Sequence, residues 1–182
     1  RRSSDLSLDE LALEMSSRVD YQMRLAALRT RTREHRESSS LNTAILRTMT
    51  VLRKTGRGEV LHWKVELGEE IEVDIHRQDL LELVGVILEN ASKWAQSTVA
   101  VNSSKSADHA VLTITDDGPG IAPEHLEKLG SRGLRHDENI PGSGLGLAIA
   151  TEILELNGGS ISYASAASGG LMVQIRLPLA VS

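Results

Sequence analysis

The 182-residue chain contains no cysteine and no phenylalanine, and only two tryptophans and two tyrosines. The absence of cysteine excludes a disulfide framework and a cysteine-ligated zinc site, and it fits a reducing compartment. No apolar run approaches the length that spans a membrane, and no signal-peptide pattern opens the sequence. Hydrophobic residues make up 40% of the chain, enough for an aliphatic core. We therefore expect one ordinary domain with a smaller appendage.

Charge is distributed unevenly along the chain. Residues 1–58 carry 12 Lys or Arg against 7 Asp or Glu, whereas residues 59–182 carry 8 against 18. A basic helix can bind nucleic acid or an anionic membrane. Here the basic residues are interspersed with acids and aromatic stacking residues are nearly absent, which favours a solvated helix face. The acidic second part argues against a nucleic-acid partner.

The first 40 residues predict a long amphipathic helix. Ser7 and Glu10 form a capping box at its start, and apolar residues then recur at spacings of three and four to about Arg36. A lone helix of this kind cannot bury its apolar stripe and needs a partner, as in a hairpin or coiled-coil arm. The stripe consists of Leu8, Leu11, Met15, Val19, Met23, Ala26 and Ala27.

The remainder, residues 41–182, predicts a domain that mixes helices and strands. We expect helices at about 41–54, 77–94, 123–129 and 145–157, the first capped by Ser38–Ser40. We expect strands at about 60–67, 71–75, 99–102, 111–115, 160–164 and 171–177, the first two forming a hairpin around Gly68. Because strands and helices do not alternate regularly, the order predicts an α+β two-layer sandwich, a mixed sheet covered by helices on one face.

Residues 89–94 read Glu-Asn-Ala-Ser-Lys-Trp at the end of a predicted helix. Asn90 and Lys93 are three residues apart and share a helix face. Asn90 can give an oxygen to Mg²⁺, Lys93 can contact phosphate, and Glu89 can orient or deprotonate a nucleophile. Taken alone, the segment is explained more readily by an ordinary amphipathic helix with a polar edge.

Residues 116–121 read Asp-Asp-Gly-Pro-Gly-Ile and follow an alternating apolar run. Asp116 therefore lies at the end of a strand, where its carboxylate can accept a hydrogen bond from the exocyclic amine of adenine. Gly118 and Gly120 let the backbone pass close to a flat ring. A plain turn explains the same residues.

Two further segments add positive charge and free amides. Arg132 and Arg135 lie in a polar stretch, residues 130–143, with the composition of a mobile lid, and either can clamp phosphate or be an ordinary surface arginine. Residues 142–147 form a glycine loop that leads into a helix, an arrangement that attracts phosphate oxygens but also fits a flexible connection. In this order, the four segments together predict a site for a magnesium–nucleotide.

These segments resemble the catalytic, ATP-binding domain of two-component sensor histidine kinases, within the wider group that includes gyrase, Hsp90 and MutL. Residues 89–94 resemble the N box, 116–121 the G1 box and 142–147 the G2 box, which Ala148-Ile149-Ala150 continues. Arg132-Gly133-x-Arg135 and Pro141-Gly142-x-Gly144 resemble the PhoQ type. The resemblance divides the chain into two parts. Residues 41–182 are the ATP-binding domain. Residues 1–40 are a long helix and a linker, and within them residues 8–37 resemble the second helix of the dimerisation and phosphoacceptor hairpin.

The resemblance implies the Bergerat sandwich fold, with three helices over a mixed sheet, and ATP and Mg²⁺ as ligands. Asn90 is then the Mg²⁺ ligand, Glu89 assists phosphoryl transfer and is the catalytic residue, and Trp94 packs on the adenine where the family usually has tyrosine. The nucleotide-binding residues implied in this way are Asn90, Lys93, Trp94, Asp116, Gly118, Gly120, Ile121, Arg132, Arg135, Gly142, Ser143, Gly144, Leu145 and Gly146.

The resemblance also implies a reaction and partners. The γ-phosphate of ATP passes to a histidine and then to an aspartate of a response regulator, in a homodimeric protein whose catalytic part lies in the cytoplasm, tethered to a bacterial inner-membrane sensor. No histidine in this chain has the expected acceptor context, and His35 is the nearest in composition. We therefore expect the acceptor helix to lie upstream of Arg1. We also expect that this chain, which begins with Arg rather than Met like a piece of a longer protein, binds ATP or ADP but does not phosphorylate itself efficiently.

Three positions depart from the family pattern. Val86 replaces a second asparagine one turn before Asn90, Gly130 stands where a phenylalanine is usual, and Ile140 stands where PhoQ-type lids carry a second phosphate-contacting arginine. These departures concern metal affinity and lid closure, and they keep a degenerate nucleotide-binding regulator open. A second alternative is a conformational ATPase module of the Hsp90, MutL or gyrase kind, against which the short spacing between the G1 and G2 boxes argues.

Overall fold

The computed structural model describes residues 15–16, 19, 21–28, 38–126, 129 and 145–180. Its helices are α1 (residues 21–28), α2 (Leu41–Leu52), α3 (Gly56–Glu59), α4 (Arg77–Trp94), α5 (Pro123–Leu126) and α6 (Gly146–Leu156). Its strands are β1 (Ser38–Ser40), β2 (His62–Leu67), β3 (Glu72–Asp74), β4 (Thr98–Lys105), β5 (His109–Asp116), β6 (Ser160–Ser165) and β7 (Leu171–Pro178).

Five strands form one mixed sheet in the order β2-β4-β5-β7-β6. The β2–β4 pair is parallel, and the other three pairs are antiparallel. Strands β1 and β3 pair antiparallel in a separate small sheet, which a bridge between Val73 and Leu179 connects to the end of β7. Helix α4 contacts α2 and α6 and lies against β5, and α6 contacts β6, so the predicted α+β sandwich is confirmed.

The core lies between the sheet and these helices because the strands present one apolar face. Every second residue of β5 is buried, and its partners across β7 are buried in the same register. The buried apolar residues of α4 recur at helical spacing, as expected for a helix that covers a sheet. The buried α4 residues of this stripe are Leu80, Leu83, Val84, Ile87, Leu88 and Ala91.

Local sequence signals account for several element boundaries. The predicted serine cap is confirmed, since the Ser40 side chain accepts a hydrogen bond from the Thr43 amide at the start of α2. Helix α4 spans the predicted residues, with His76 as its N-cap. Helix α6 ends where predicted, and Gly158 adopts a positive φ of 69° just beyond it, the left-handed conformation that commonly closes a helix.

The predicted hairpin around Gly68 is wrong. Both strands exist, but β2 pairs with β4 and β3 pairs with β1, so the two do not pair with each other. Gly68 instead donates its amide to the carbonyl of Ser103 at the far end of β4. The buried Asn42 side chain binds the carbonyls of Gly68 and Glu69. Helix α3 and strand β1 were not predicted.

Helix α1 packs on the domain through a different stripe from the predicted one. Tyr21, Leu25 and Leu28 are buried in the core cluster, and Arg24 pairs with Glu82 of α4 at 3.3 Å. All the predicted stripe residues that lie in the described ranges are exposed, namely Met15, Val19, Met23, Ala26 and Ala27. They form an apolar face that the described chain leaves uncovered, in agreement with the expectation that this helix needs a partner. No helix in the described ranges combines the length and apolarity required to cross a bilayer.

Candidate nucleotide site

Helix α4 brings a polar edge to one end of the sheet. Its apolar stripe faces the core, while Glu89 is exposed and Asn90, Lys93 and Trp94 are half-buried in the last two turns. The Lys93 ammonium lies 5.7 Å from the centre of the Trp94 ring, within range of a cation–π contact. No hydrogen bond to the Asn90 side chain is found among the described residues, so its amide oxygen is available to a ligand.

Asp116 occupies an inward position at the end of β5. It continues the buried row of Ala110, Leu112 and Ile114, and it is only 3% exposed. Its Oδ1 accepts hydrogen bonds from the amides of Gly118 at 2.8 Å and Leu171 at 3.3 Å. Within the described part of the chain, no hydrogen bond reaches Oδ2. One carboxylate oxygen is thus held by the backbone, and the other is left as an acceptor.

Burial raises the pKa of Asp116 above its usual range, and the neighbouring charge of Asp117 adds to this effect. The hydrogen bonds from Gly118 and Leu171 act in the opposite direction but do not outweigh burial. Burying a carboxylate at such a position lowers the stability of the folded state. A buried, oriented acceptor with a perturbed pKa is characteristic of functional sites.

Three glycines allow the backbone to close around Asp116. A Cβ on Gly118 would lie 2.5 Å from the carbonyl oxygen of Trp94, and one on Gly170 would lie 2.2 Å from the carbonyl oxygen of Asp116. Gly120 has a positive φ of 72°, and its Cβ would lie 2.3 Å from the Gly169 carbonyl. The end of α4, the loop after β5 and the β6–β7 turn therefore meet with no room for side chains.

The start of α6 packs against the middle of α4. A Cβ on Gly146 would lie 3.2 Å from Cγ1 of Val86, one turn before Asn90. The N-cap residue, Leu145, offers no side-chain oxygen to the first amides of the helix. Within the described ranges these amides thus have no side-chain cap, an arrangement that suits an anion at the helix start.

The structure thus brings together three of the four predicted segments. Glu89, Asn90, Lys93 and Trp94 lie on α4, and the Asp116–Ile121 segment lies against the end of that helix. Leu145 and Gly146 begin the neighbouring helix, and half-buried Ile121 packs against the core. The predicted residues outside the described ranges are Arg132, Arg135, Gly142, Ser143 and Gly144, together with the lid positions Gly130 and Ile140.

The sequence did not predict that the turn between β6 and β7 contacts and supports Asp116. Gly170 lies against its backbone, the Leu171 amide binds its carboxylate, and the Ser168 hydroxyl binds its carbonyl at 3.2 Å. The only local signal is the Gly169-Gly170 pair, which predicts a turn and nothing more. Its role depends on the pairing of β5 with β7, which joins residues more than 50 positions apart.

The arrangement fits a purine nucleotide with Mg²⁺. The Oδ2 atom of Asp116, which has no hydrogen-bond partner among the described residues, suits a flat ring that carries an amine. Among the described residues no group of three His, Cys, Asp or Glu could hold a metal ion. A single amide oxygen is instead what Mg²⁺ uses when phosphates and water complete its shell.

Comparison with known proteins agrees with this geometry. Residues 75–181 match the family model described as histidine kinase-, DNA gyrase B- and HSP90-like ATPase. The chain belongs to this ATPase family. The matched segment begins just before α4, the helix that carries Asn90, and includes every strand from β4 to β7.

Two relatives of this ATPase-family chain are sensor kinases of Pseudomonas aeruginosa. It is 42% identical over 117 residues to the sensor protein kinase CarS of Pseudomonas aeruginosa, covering 64% of the chain and 26% of the relative. It is 32% identical over 163 residues to the two-component sensor PhoQ of the same organism, covering 89% and 36%. The chain thus spans only about a quarter to a third of these relatives.

A solved structure supports the same assignment. The mycobacterial sensor histidine kinase MprB matches with a TM-score of 0.72 at 29% identity, over 81% of this chain and 100% of that one. The prediction of an ATP-binding catalytic domain of the sensor histidine kinase type, similar to PhoQ, is confirmed. Neither the Hsp90-like module nor the degenerate regulator is favoured by these matches.

Proposed function

We propose that this chain binds Mg·ATP and supplies the catalytic part of a sensor histidine kinase. The γ-phosphate passes to a histidine on a dimerisation hairpin and from there to an aspartate of a response regulator. The observation that carries the proposal is the buried Asp116, held through Oδ1 at the end of β5 beside the polar edge of α4. Family membership and the sensor-kinase relatives support the same reading.

The adenine would lie against Gly118 and Gly120, with its exocyclic amine donating to Oδ2 of Asp116. Such a bond to an ionised acceptor in a buried site is stronger than a neutral one. It also selects adenine over guanine, because guanine places a carbonyl oxygen where adenine has its amine, and two acceptors would then face each other. Trp94 at the end of α4 would cover the ring.

The phosphates would extend along the polar edge of α4. Asn90 would give one oxygen to Mg²⁺, which neutralises phosphate charge when bound, and Lys93 would contact a phosphate directly. Arg132 and Arg135 would approach from the lid, and Gly142–Gly144 would lead into the first amides of α6. Glu89, exposed beside Asn90, would accept the proton from the attacking imidazole as the γ-phosphoryl group leaves ADP.

We also propose partners for the whole protein, supported by the same relatives. It works as a homodimer with an upstream acceptor helix, a response regulator receives the phosphate, and the catalytic part lies on the cytoplasmic side of a membrane sensor. The exposed apolar residues of the N-terminal helix, Met15, Val19 and Met23, support pairing with further helices.

Phosphate transfer to a supplied acceptor tests the proposal. The chain is incubated with γ-labelled ATP, Mg²⁺ and the dimerisation hairpin of PhoQ from Pseudomonas aeruginosa, and acid-labile phosphate on the hairpin is measured. We expect labelling that is lost in Asn90→Ala and retained in a control, Asn102→Ala, an exposed position on β4. Nucleotide binding without any transfer would favour the degenerate regulator, and labelling of the chain itself would show that its acceptor is internal.

A further inference from the structure

Asp117, next to the buried Asp116, makes a dense set of hydrogen bonds of its own. Its Oδ1 accepts from three successive backbone amides, those of Gln96 at 2.8 Å, Ser97 at 3.0 Å and Thr98 at 3.0 Å. Its Oδ2 accepts from the Ser97 hydroxyl at 2.6 Å. The side chain is therefore directed away from the adenine side of the loop and into the backbone that follows α4.

These bonds join the two halves of the nucleotide site. Residues 96–98 follow Ala95, the C-cap of α4, and lead into Thr98, the first residue of β4. Asp117 follows directly after Asp116. The carboxylate thus fixes the helix that bears Asn90 and Lys93 relative to the strand that bears the adenine acceptor.

Burial acts to raise the pKa of Asp117, but the hydrogen bonds from Ser97, Thr98 and Gln96 outweigh it and hold the pKa far below its usual range. The side chain is consequently ionised over the whole working pH range. Both its oxygens are engaged by residues 96–98, which favours a role in holding this backbone over direct contact with nucleotide or metal.

We propose that Asp117 is a positioning residue that sets the phosphate-binding edge of α4 against the adenine acceptor. This inference rests on the proposed nucleotide site and adds a second, separate function to the Asp116-Asp117 pair. The first carboxylate recognises the base, and the second aligns the helix that holds the phosphates. Without Asp117, the phosphate-binding residues of α4 would no longer be held in a fixed position relative to Asp116.

Asparagine at this position provides a decisive comparison. Its Oδ1 can accept from the same three amides, and its Nδ2 can donate to the Ser97 hydroxyl, which is able to accept. Asp117→Asn therefore keeps all four contacts without the charge, whereas Asp117→Ala removes them all. Asp108→Ala is the matched control, because Asp108 is an exposed aspartate in the turn at the opposite end of β4 and β5.

The test is calorimetric titration of these variants with Mg·ADP and with adenosine, below their unfolding temperatures. We expect Asp117→Ala to weaken the affinity for Mg·ADP by about tenfold or more and the affinity for adenosine by less than about threefold. The ratio of the two affinities, which reports the contribution of the phosphates, should therefore fall by at least about threefold. Asp117→Asn and Asp108→Ala should stay within about threefold of the unmodified chain for both ligands. A purely structural role would change both affinities alike and leave their ratio constant.

The outcomes separate this inference from the proposed function. An unmodified chain that binds neither ligand contradicts both. Normal binding by Asp117→Ala, or an equal loss for both ligands, contradicts the positioning role alone. If Asp117→Ala does not fold, Asp117→Ser, which keeps one hydroxyl acceptor, takes its place with an intermediate expected loss. Failure of both variants to fold would make Asp117 a general stability residue and overturn the inference.

Discussion

Replacing Asp116 with asparagine should separate nucleotide binding from folding. The asparagine Oδ1 can still accept the amides of Gly118 and Leu171, so the shape of the site is retained. Its Nδ2 then stands where Oδ2 stood and presents a donor to the adenine amine, which is itself a donor. Asp116→Asn therefore opposes binding while it removes a buried charge.

The expected size of the effect on binding follows from the lost contact. A hydrogen bond to a charged group contributes about 1.5–3 kcal/mol. At roughly 1.4 kcal/mol per factor of ten, the dissociation constant should rise by about ten- to a hundredfold. Folding should respond in the opposite direction. Since burial raises the pKa of Asp116 despite its hydrogen bonds, the folded state favours the neutral side chain, and the variant should unfold at an equal or higher temperature at pH 7.

Two assays on the same samples check this reasoning. Calorimetric titration with Mg·ADP gives the change in affinity, and thermal unfolding followed by circular dichroism gives the change in stability. Asp74→Asn, a half-buried aspartate in the small β1–β3 sheet, is the matched control and should leave Mg·ADP binding unchanged. Undiminished affinity of Asp116→Asn would refute the adenine contact, and a clear fall in its unfolding temperature would refute the claim that the buried charge opposes folding.

Three further predictions concern the same site. Gly170→Ala should lower stability by about 1–3 kcal/mol and abolish Mg·ADP binding, because its Cβ would collide with Asp116. Gly85→Ala is the control, because nothing lies within 4 Å of the new Cβ, and it should stabilise α4 by about 1 kcal/mol. Denaturant unfolding distinguishes the two variants. Unchanged stability and binding in Gly170→Ala would contradict the role of the β6–β7 turn in supporting Asp116. Because the pKa of Asp116 is raised, the affinity of the unmodified chain for Mg·ADP should begin to fall on acidification at a pH above the usual aspartate pKa of about 3.9. A Mg·ADP affinity that stays constant down to about pH 4 would contradict this. Asn90→Ala should reduce the dependence of ADP affinity on Mg²⁺ concentration, and an unchanged dependence would remove Asn90 as the metal ligand.

Asp117 has the opposite linkage to pH. Its pKa is lowered in the folded state, so its hydrogen bonds stabilise the fold fully above the unfolded pKa and are lost as pH falls below it. The stabilisation should therefore decline only in strongly acidic solution. Asp116 contributes the reverse sign, because protonation of a group whose pKa is raised favours the folded state. The two neighbours thus oppose each other in acid.

The sequence predicted the elements whose signals are local. Helix α4 was correctly bounded because its apolar stripe runs unbroken from Leu80 to Ala91, and β5 was found because apolar residues alternate up to Asp116. The position of Asp116 at an inward site also follows from this alternation. The order of the motifs then predicts that the last turns of α4, the end of β5 and the start of α6 share one site, and the described residues of these elements lie close together.

The missed features depend on contacts between distant residues. Strands β2 and β3 flank Gly68 like a hairpin, but the parallel partner of β2 lies more than 30 residues away, and no local signal favours parallel pairing. Similarly, Gly170 and residues 96–98 acquire their roles only when the sheet brings them beside Asp116 and Asp117. Two adjacent aspartates predict a turn, and only the fold assigns them different partners.

A crystal structure of the chain with Mg²⁺ and a non-hydrolysable ATP analogue would test the central claim most directly. We expect the adenine amine within hydrogen-bonding distance of the Asp116 carboxylate, the magnesium ion bound to the Asn90 side-chain oxygen, and Asp117 still bonded to residues 96–98. A nucleotide bound elsewhere, or an adenine whose amine makes no contact with Asp116, would contradict the claim.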